Sequence, residues 1–265
     1  MKLRIVQPSR GAWWVRQGFR VFFRQPLAFT ALFFLFLFGA FIVLTLPLLG
    51  GLLMLALLPV VTLGFMIGTR ESLLGRFPLP GVFLAPFRQG AVRIRSLLLL
   101  GVAYALASLG IMTLADWVDG GSVAALQDAM GQGEASREMM DDPRVQSGLM
   151  LRLVLTVPLS LLFWHAPALI HWAGVDAPRA VFFSIVACWR NKWAFLVYAF
   201  TWAFVVGLFG VFATLFFSLL DAPQLVSLAA FPAALMFSTV FYVSLYFTFV
   251  DCFESLPLPV EPDRA

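Results

Sequence analysis

Residues 18–41 read GFRVFFRQPLAFTALFFLFLFGAF. From Leu27 onward the run is apolar for longer than the roughly 18 residues that mark a membrane-spanning helix. Lipid offers no hydrogen bonds to a bare backbone, so a span must be a helix or part of a closed barrel. Barrel strands alternate apolar and polar side chains, and LAFTALFFLFLFGAFIVL does not alternate. The stretch is a transmembrane helix, and the chain reads as an all-α polytopic membrane protein.

The remaining composition agrees. Of the 265 residues, 61% are hydrophobic and 12% charged, with a mean hydropathy of +0.92. A soluble domain carries about a quarter charged residues, and this chain has too little polar surface to cover a sphere of its size. Spans are expected near 27–47, 51–69, 97–115, 149–170, 193–219 and 225–250, giving six transmembrane helices. The long apolar run and the span that follows it almost at once argue against a cleaved leader, so the N-terminus is expected to be retained.

Lysine and arginine gather on the cytoplasmic side of membrane proteins. Six precede the first span, five lie in 70–95 and three in 171–192. The polar loop 116–148 has only Arg137 and Arg144 against seven acids. Both termini are therefore expected in the cytoplasm and that loop outside. Within the loop, SVAALQDAM reads as a short helix capped by Ser122, and GQGEASREMMDDP as a mobile connector.

The opening stretch has a later counterpart, SIVACWRNKWAFLVYAFTWAFVVG at 184–207, and a weaker one in PGVFLAPFRQGAVRIRSLLLLG. Each places basic and aromatic residues directly before a span. Pro59, Pro158 and Pro232 then sit in the second, fourth and sixth spans. The expected plan is three pseudo-repeated hairpins (about 14–69, 80–170 and 177–250), each preceded by a cytoplasmic amphipathic or re-entrant helix, with a tail at 251–265. Parallel repeats of this kind are related by an axis along the membrane normal.

In the first copy Arg16, Arg20 and Arg24 share one side of a helix, joined by Gln17. The aromatic remainder is expected in the acyl boundary, with the arginines at lipid phosphates. Pro26 breaks this helix before the span. In the second copy Asp176 can cap, Pro178 suits a first turn, and Arg190 and Lys192 are further candidate phosphate contacts. Phe182, Phe183, Ile185 and Val186 interrupt its polar face, so it is expected to pack against protein more than lipid.

Catalytic and metal signatures are sparse. His165 and His171, the only histidines, are six apart and point to different helix sides, which does not suit one metal. No span carries a central Asp or Glu, the residues that mark many coupled carriers. No Gly-x-Ser-x-Gly, His-Glu-x-x-His or P-loop pattern occurs. Cys188 and Cys252 form no Cys-x-x-Cys pair and read as free thiols. No catalytic residue, metal or cofactor is assigned, and the chain is expected not to be an enzyme. Ser238, Tyr242 and Tyr246, at i, i+4, i+8, could line a cavity with His165 and Tyr198. Gly64 and Gly68 read as a close helix crossing, and Arg152 as a snorkelling side chain.

FWHAPALIHWAGVDAPRAVFFSIVACWRNKWAFLVYAF, WVRQGFRVFFRQPLAF and PVVTLGFMIGTRE resemble a family of proteobacterial inner-membrane proteins, mainly from β-proteobacteria. The likeness covers most of the chain. More distantly, the plan is similar to the multi-span membrane domain of bacterial glycerophosphodiester phosphodiesterases. The resemblance implies six helices and a bacterial inner membrane, and transfers no residue role. Expected partners are membrane lipids, anionic ones foremost, and not nucleic acid; self-association into a homo-oligomer is compatible. The expected role is scaffolding, envelope maintenance or lipid organisation, the alternative being a transporter or lipid-handling protein with a cavity between the hairpins.

Overall fold

The computed structural model describes residues 2–134, 136–222 and 224–254; the expected tail beyond Glu254 lies outside them. Six segments are long and apolar enough to cross a membrane: Pro26–Leu44, Gly50–Leu73, Ala91–Asp119, Pro143–Ala173, Lys192–Leu219 and Leu225–Cys252. Among the described residues no strand forms beyond a single antiparallel bridge between Leu3 and Phe253.

Helix α1 (Arg10–Arg24) ends at Gln25, and Pro26 opens α2 (Pro26–Leu44). Proline suits that first position because its missing N–H has no helical partner there. The chain reverses into α3 (Gly50–Leu73), then makes two 3-10 turns, Pro80–Phe83 and Ala85–Arg88. Helix α4 (Ala91–Asp119) leads to the short α5 (Ser122–Gln132) and α6 (Arg137–Asp141). Ser122 does not cap α5: its hydroxyl donates to the Asp119 carbonyl, and Ser136 caps α6 instead.

The fourth crossing is broken. Helix α7 (Pro143–Phe163) stops, and the chain continues through the three-residue α8 (Ala166–Ala168) and a π turn, Leu169–Ala173. Pro167 has no N–H for the Phe163 carbonyl, and its ring collides with a carbonyl four residues earlier. At the break the Ser184 hydroxyl donates to the Leu161 carbonyl at 2.9 Å and accepts from the His165 N–H at 3.0 Å. These are the two groups that an intact helix would have joined. Ser184 belongs to α9 (Ala177–Arg190), which Asp176 caps through the Arg179 N–H. Helices α10 (Lys192–Leu219) and α11 (Leu225–Cys252) complete the chain.

Each approach segment packs on a hairpin other than the one it introduces. The 3-10 turns lie on α3, α9 on α7 and α8, and α1 on α10 and α11. Hence the first helix closes the bundle against the last. Gly11 and Gly18 permit this, because a Cβ on Gly11 would strike the backbone at Ala194 and Tyr198, and one on Gly18 would strike Ser244 and Val240.

Two expectations about the approach helices change here. The aromatic side of α1 is inside protein: Trp14, Val15, Val21 and Phe22 are buried, as is Gln17. Trp14 packs on Phe195 and Tyr198, and Phe19 on Trp202 and Phe237. Helix α9 does the reverse, burying Ala177, Ala180, Ser184, Ala187 and Cys188 while exposing Phe182, Phe183 and Trp189. Small residues give α9 a flat face against α7, which leaves its large side chains outward.

Candidate functional site

Two polar clasps tie the bundle at opposite ends. At the end carrying both described termini, Asp251 accepts from Arg10 Nε at 2.6 Å, Arg10 Nη2 at 2.7 Å and the Trp14 indole at 2.7 Å. Arg10 also covers the Trp13 ring, 3.6 Å from its centroid, where the π face attracts a cation. Beside it Asn191 holds the N-terminal segment, accepting from the Val6 N–H and donating to the Arg4 carbonyl. At the other end Arg152 bridges Asp116 and Asp119. It therefore pairs with α4 rather than snorkelling to water. Asp119 also accepts from the Gly121 N–H at 2.8 Å.

Below this second clasp the first two hairpins and α11 border a half-open hollow of two adjoining chambers. The outer one, of ≈ 320 Å³, is lined by Ser108, Asp116, Gln127, Arg152 and Thr156 together with Leu55, Ile111 and Met112. The inner one, of ≈ 180 Å³, is lined by Pro59, Thr62, Ser160, Trp164, Phe241 and Tyr242. Tyr104 borders both, and its ring meets Phe163 edge-on at 5.0 Å. The hollow is thus charged at its mouth and aromatic at its floor. Such a lining suits an amphiphile, with one polar end and one apolar end.

Of the five candidate cavity residues, Tyr242 lines the inner chamber, its ring stacked on Phe65 at 4.9 Å. Tyr198 is buried in the packed centre, bonded to Ser244 at 2.6 Å. Tyr246 is fully buried, and Ser238 is half-buried on α11. His165 sits in a box of Phe195, Phe249 and Phe253 with neither ring nitrogen bonded. Pro59 lines the inner chamber, whereas Pro158 and Pro232 are exposed. Phe83 of the first 3-10 turn lies over Gly64, whereas Gly68 is met by Leu32 of α2 together with Pro78, so only the second glycine faces another span. The turn that covers Gly64 is too short to show a period of its own.

Arg16, Arg20, Arg24 and Arg190 are exposed, the first three along one side of α1. Lys192 lies over Trp189 and Trp193, at 5.1 and 5.8 Å from their rings, amid exposed aromatics. Among the described residues no group of three His, Cys, Asp or Glu stands close enough to hold a metal. Cys188 and Cys252 are free and buried, and burial pushes the Cys188 thiol up to about 12.

The clasps and the mouth of the hollow were not found by sequence reasoning. The available signal was Asp116, Asp119 and Arg152, which stand near the facing ends of one hairpin's two spans.

No family model matches the chain, and no solved structure does. The probable inner membrane protein BTH_II0599 of Burkholderia thailandensis is 33% identical to it over 256 residues, covering 96% of this chain and 94% of that protein. With six apolar helices and near-complete coverage, the chain belongs to the same family of bacterial inner-membrane proteins.

Proposed function

We propose that this protein is a non-enzymatic lipid-organising protein, whose hollow between the first two hairpins holds part of a lipid. The carrying observation is the hollow's gradient, from the Arg152–Asp116 mouth to the Tyr104, Trp164 and Tyr242 floor. A zwitterionic headgroup complements such a mouth, its phosphate toward Arg152 and its ammonium toward Asp116. The chamber residues offer no nucleophile paired with a base, which supports binding over catalysis. The exposed aromatics around Arg190 and Lys192 support a second contact with the opposite leaflet.

Thr156 is exposed and lines the outer chamber, so Thr156→Trp fills it with little strain on the bundle. Native mass spectrometry of protein released from phosphatidylethanolamine nanodiscs is expected to show retained lipid in the wild type and markedly less in the variant. Equal retention by both would refute a lipid in the hollow, and no retention by either would favour a purely scaffolding role.

The reading includes three pseudo-repeated units and a fixed orientation. The repeat is supported by the way each approach segment packs on another unit's hairpin. Orientation rests on the charge bias, which puts the Asp116–Gly148 segment outside. Because both native thiols are buried, Glu134→Cys supplies one exposed thiol. A membrane-impermeant maleimide is expected to label it on intact spheroplasts. Labelling only after lysis would invert the topology.

A further inference from the structure

At the end bearing the termini, four elements bring together polar groups that neither clasp uses. Arg70 lies near the end of α3, Gln89 just past the second 3-10 turn, Arg93 in the first turn of α4 and His171 in the π turn. Gln89 fixes the arrangement. Its Oε1 accepts from Arg93 Nη1 at 3.0 Å, so the group facing His171 Nε2 at 3.1 Å is its amide nitrogen. A donor there requires an acceptor, which assigns the His171 proton to Nδ1 through the hydrogen-bond network.

That Nδ1–H is buried and has no partner. The fully buried Tyr246 hydroxyl makes no hydrogen bond of ordinary length, and since Arg70 beside it can only donate to its oxygen, its own O–H proton is likewise unused. Trp172 joins the two, its ring edge-on to His171 at 5.4 Å and to Tyr246 at 5.8 Å. The Arg93 guanidinium reaches back to Gly174, where a Cβ would stand 3.4 Å from it. Both guanidiniums are within electrostatic reach of His171. Among the described residues neither pairs with a carboxylate, and Glu71, next to Arg70 in sequence, is taken by Arg76 at 3.2 Å.

Two cations and two unused donors, with no acid among them, lack one thing: an anionic acceptor with several oxygens. Phosphate has that chemistry, and arginine forks match it. We propose that Arg70, Arg93, His171 and Tyr246 form a phosphate-binding site at the end of the bundle bearing the termini. The phosphate belongs either to a lipid headgroup or to a small free anion. The site stands apart from the hollow and does not depend on it.

The test is thermal unfolding of the full chain in detergent at constant ionic strength, titrated with inorganic phosphate and, separately, with phosphatidylglycerol. The wild type is expected to rise in midpoint with at least one of them. A rise with inorganic phosphate identifies the free anion, and a rise with phosphatidylglycerol alone identifies the headgroup. Arg70→Gln/Arg93→Gln is expected to weaken the apparent affinity at least about tenfold, the effect of losing one charged hydrogen bond. Replacing Arg16, Arg20 and Arg24 with Gln is expected to leave the affinity in place. Tyr246→Phe removes only a hydroxyl whose proton has no acceptor, so it should change the ligand-free midpoint little and bind several-fold more weakly. No rise with either titrant overturns the site. So does an affinity unchanged in the double variant, or, should that variant not fold, in Tyr246→Phe. Thr156→Trp, at the opposite end, is expected to respond as the wild type does, which separates this outcome from that of the hollow.

Discussion

Asp251→Ala is expected to lower stability by about 2–4 kcal/mol and to release α1 from the bundle. The carboxylate is largely buried and accepts three hydrogen bonds, two from Arg10 and one from the Trp14 indole. Removing it leaves the Trp14 N–H orphaned in a ring of Phe195 and Tyr198 and strands a cation beside it. Breaking a buried pair costs about 3–5 kcal/mol. The Arg10 side chain is 32% exposed, so water recovers part of its charge and the lower range applies. Asp251→Asn keeps an acceptor for the indole and is expected to fall between. The measurement is a chemical-denaturation midpoint in mild detergent, with trypsin sensitivity at Arg10 and Arg16 reporting release of the helix. Unchanged stability and cleavage would mean that the packing of α1 at Gly11 and Gly18 holds without the clasp.

Comparing that helix with its sequence shows what could be read in advance. The arc of Arg16, Arg20 and Arg24 follows from helical spacing alone, and all three are exposed. What the opposite arc meets is a different matter, because lipid and protein interior are both apolar and period cannot separate them. Composition within the arc can. Gly11 and Gly18 flank Trp14 on the buried side, and glycines beside a large aromatic mark close approach of another backbone. The six spans were legible because lipid leaves a spanning backbone so few options. The break after Phe163 was missed: the fourth span was expected unbroken over 149–170, although Pro167, four residues on, carries the signal. The clasps were not legible. Arg10 and Asp251 stand 241 positions apart, and no local pattern joins them. The same holds for Gln89 and His171, which meet only because the π turn carries the fourth crossing back under α4.

Arg152→Leu is expected to cost more than Asp251→Ala, about 3–5 kcal/mol, because the partner it abandons is deeper. The Asp119 side chain is fully buried and that of Arg152 only 19% exposed. Without the guanidinium Asp119 retains the Gly121 N–H, which satisfies one lone pair but balances no charge. Nor can the carboxylate turn to water freely, since it packs against Gly148 on α7. Asp116 differs: its side chain is 47% exposed, so Asp116→Asn is expected to cost under about 1 kcal/mol, as surface pairs do. The check is a double-mutant cycle by denaturation in detergent. Asp119→Leu with Arg152→Leu should recover most of the single loss, because it removes the stranded charge along with its partner. Should the double variant instead be as unstable as the sum of the singles, the two residues act separately and the clasp is not a unit. Recovery has a second consequence at the hollow. The double variant would keep the fold but leave Asp116 as the charged group of the pair lining the mouth, so without the guanidinium it should hold a headgroup phosphate less well and select a zwitterionic lipid over diacylglycerol less strongly.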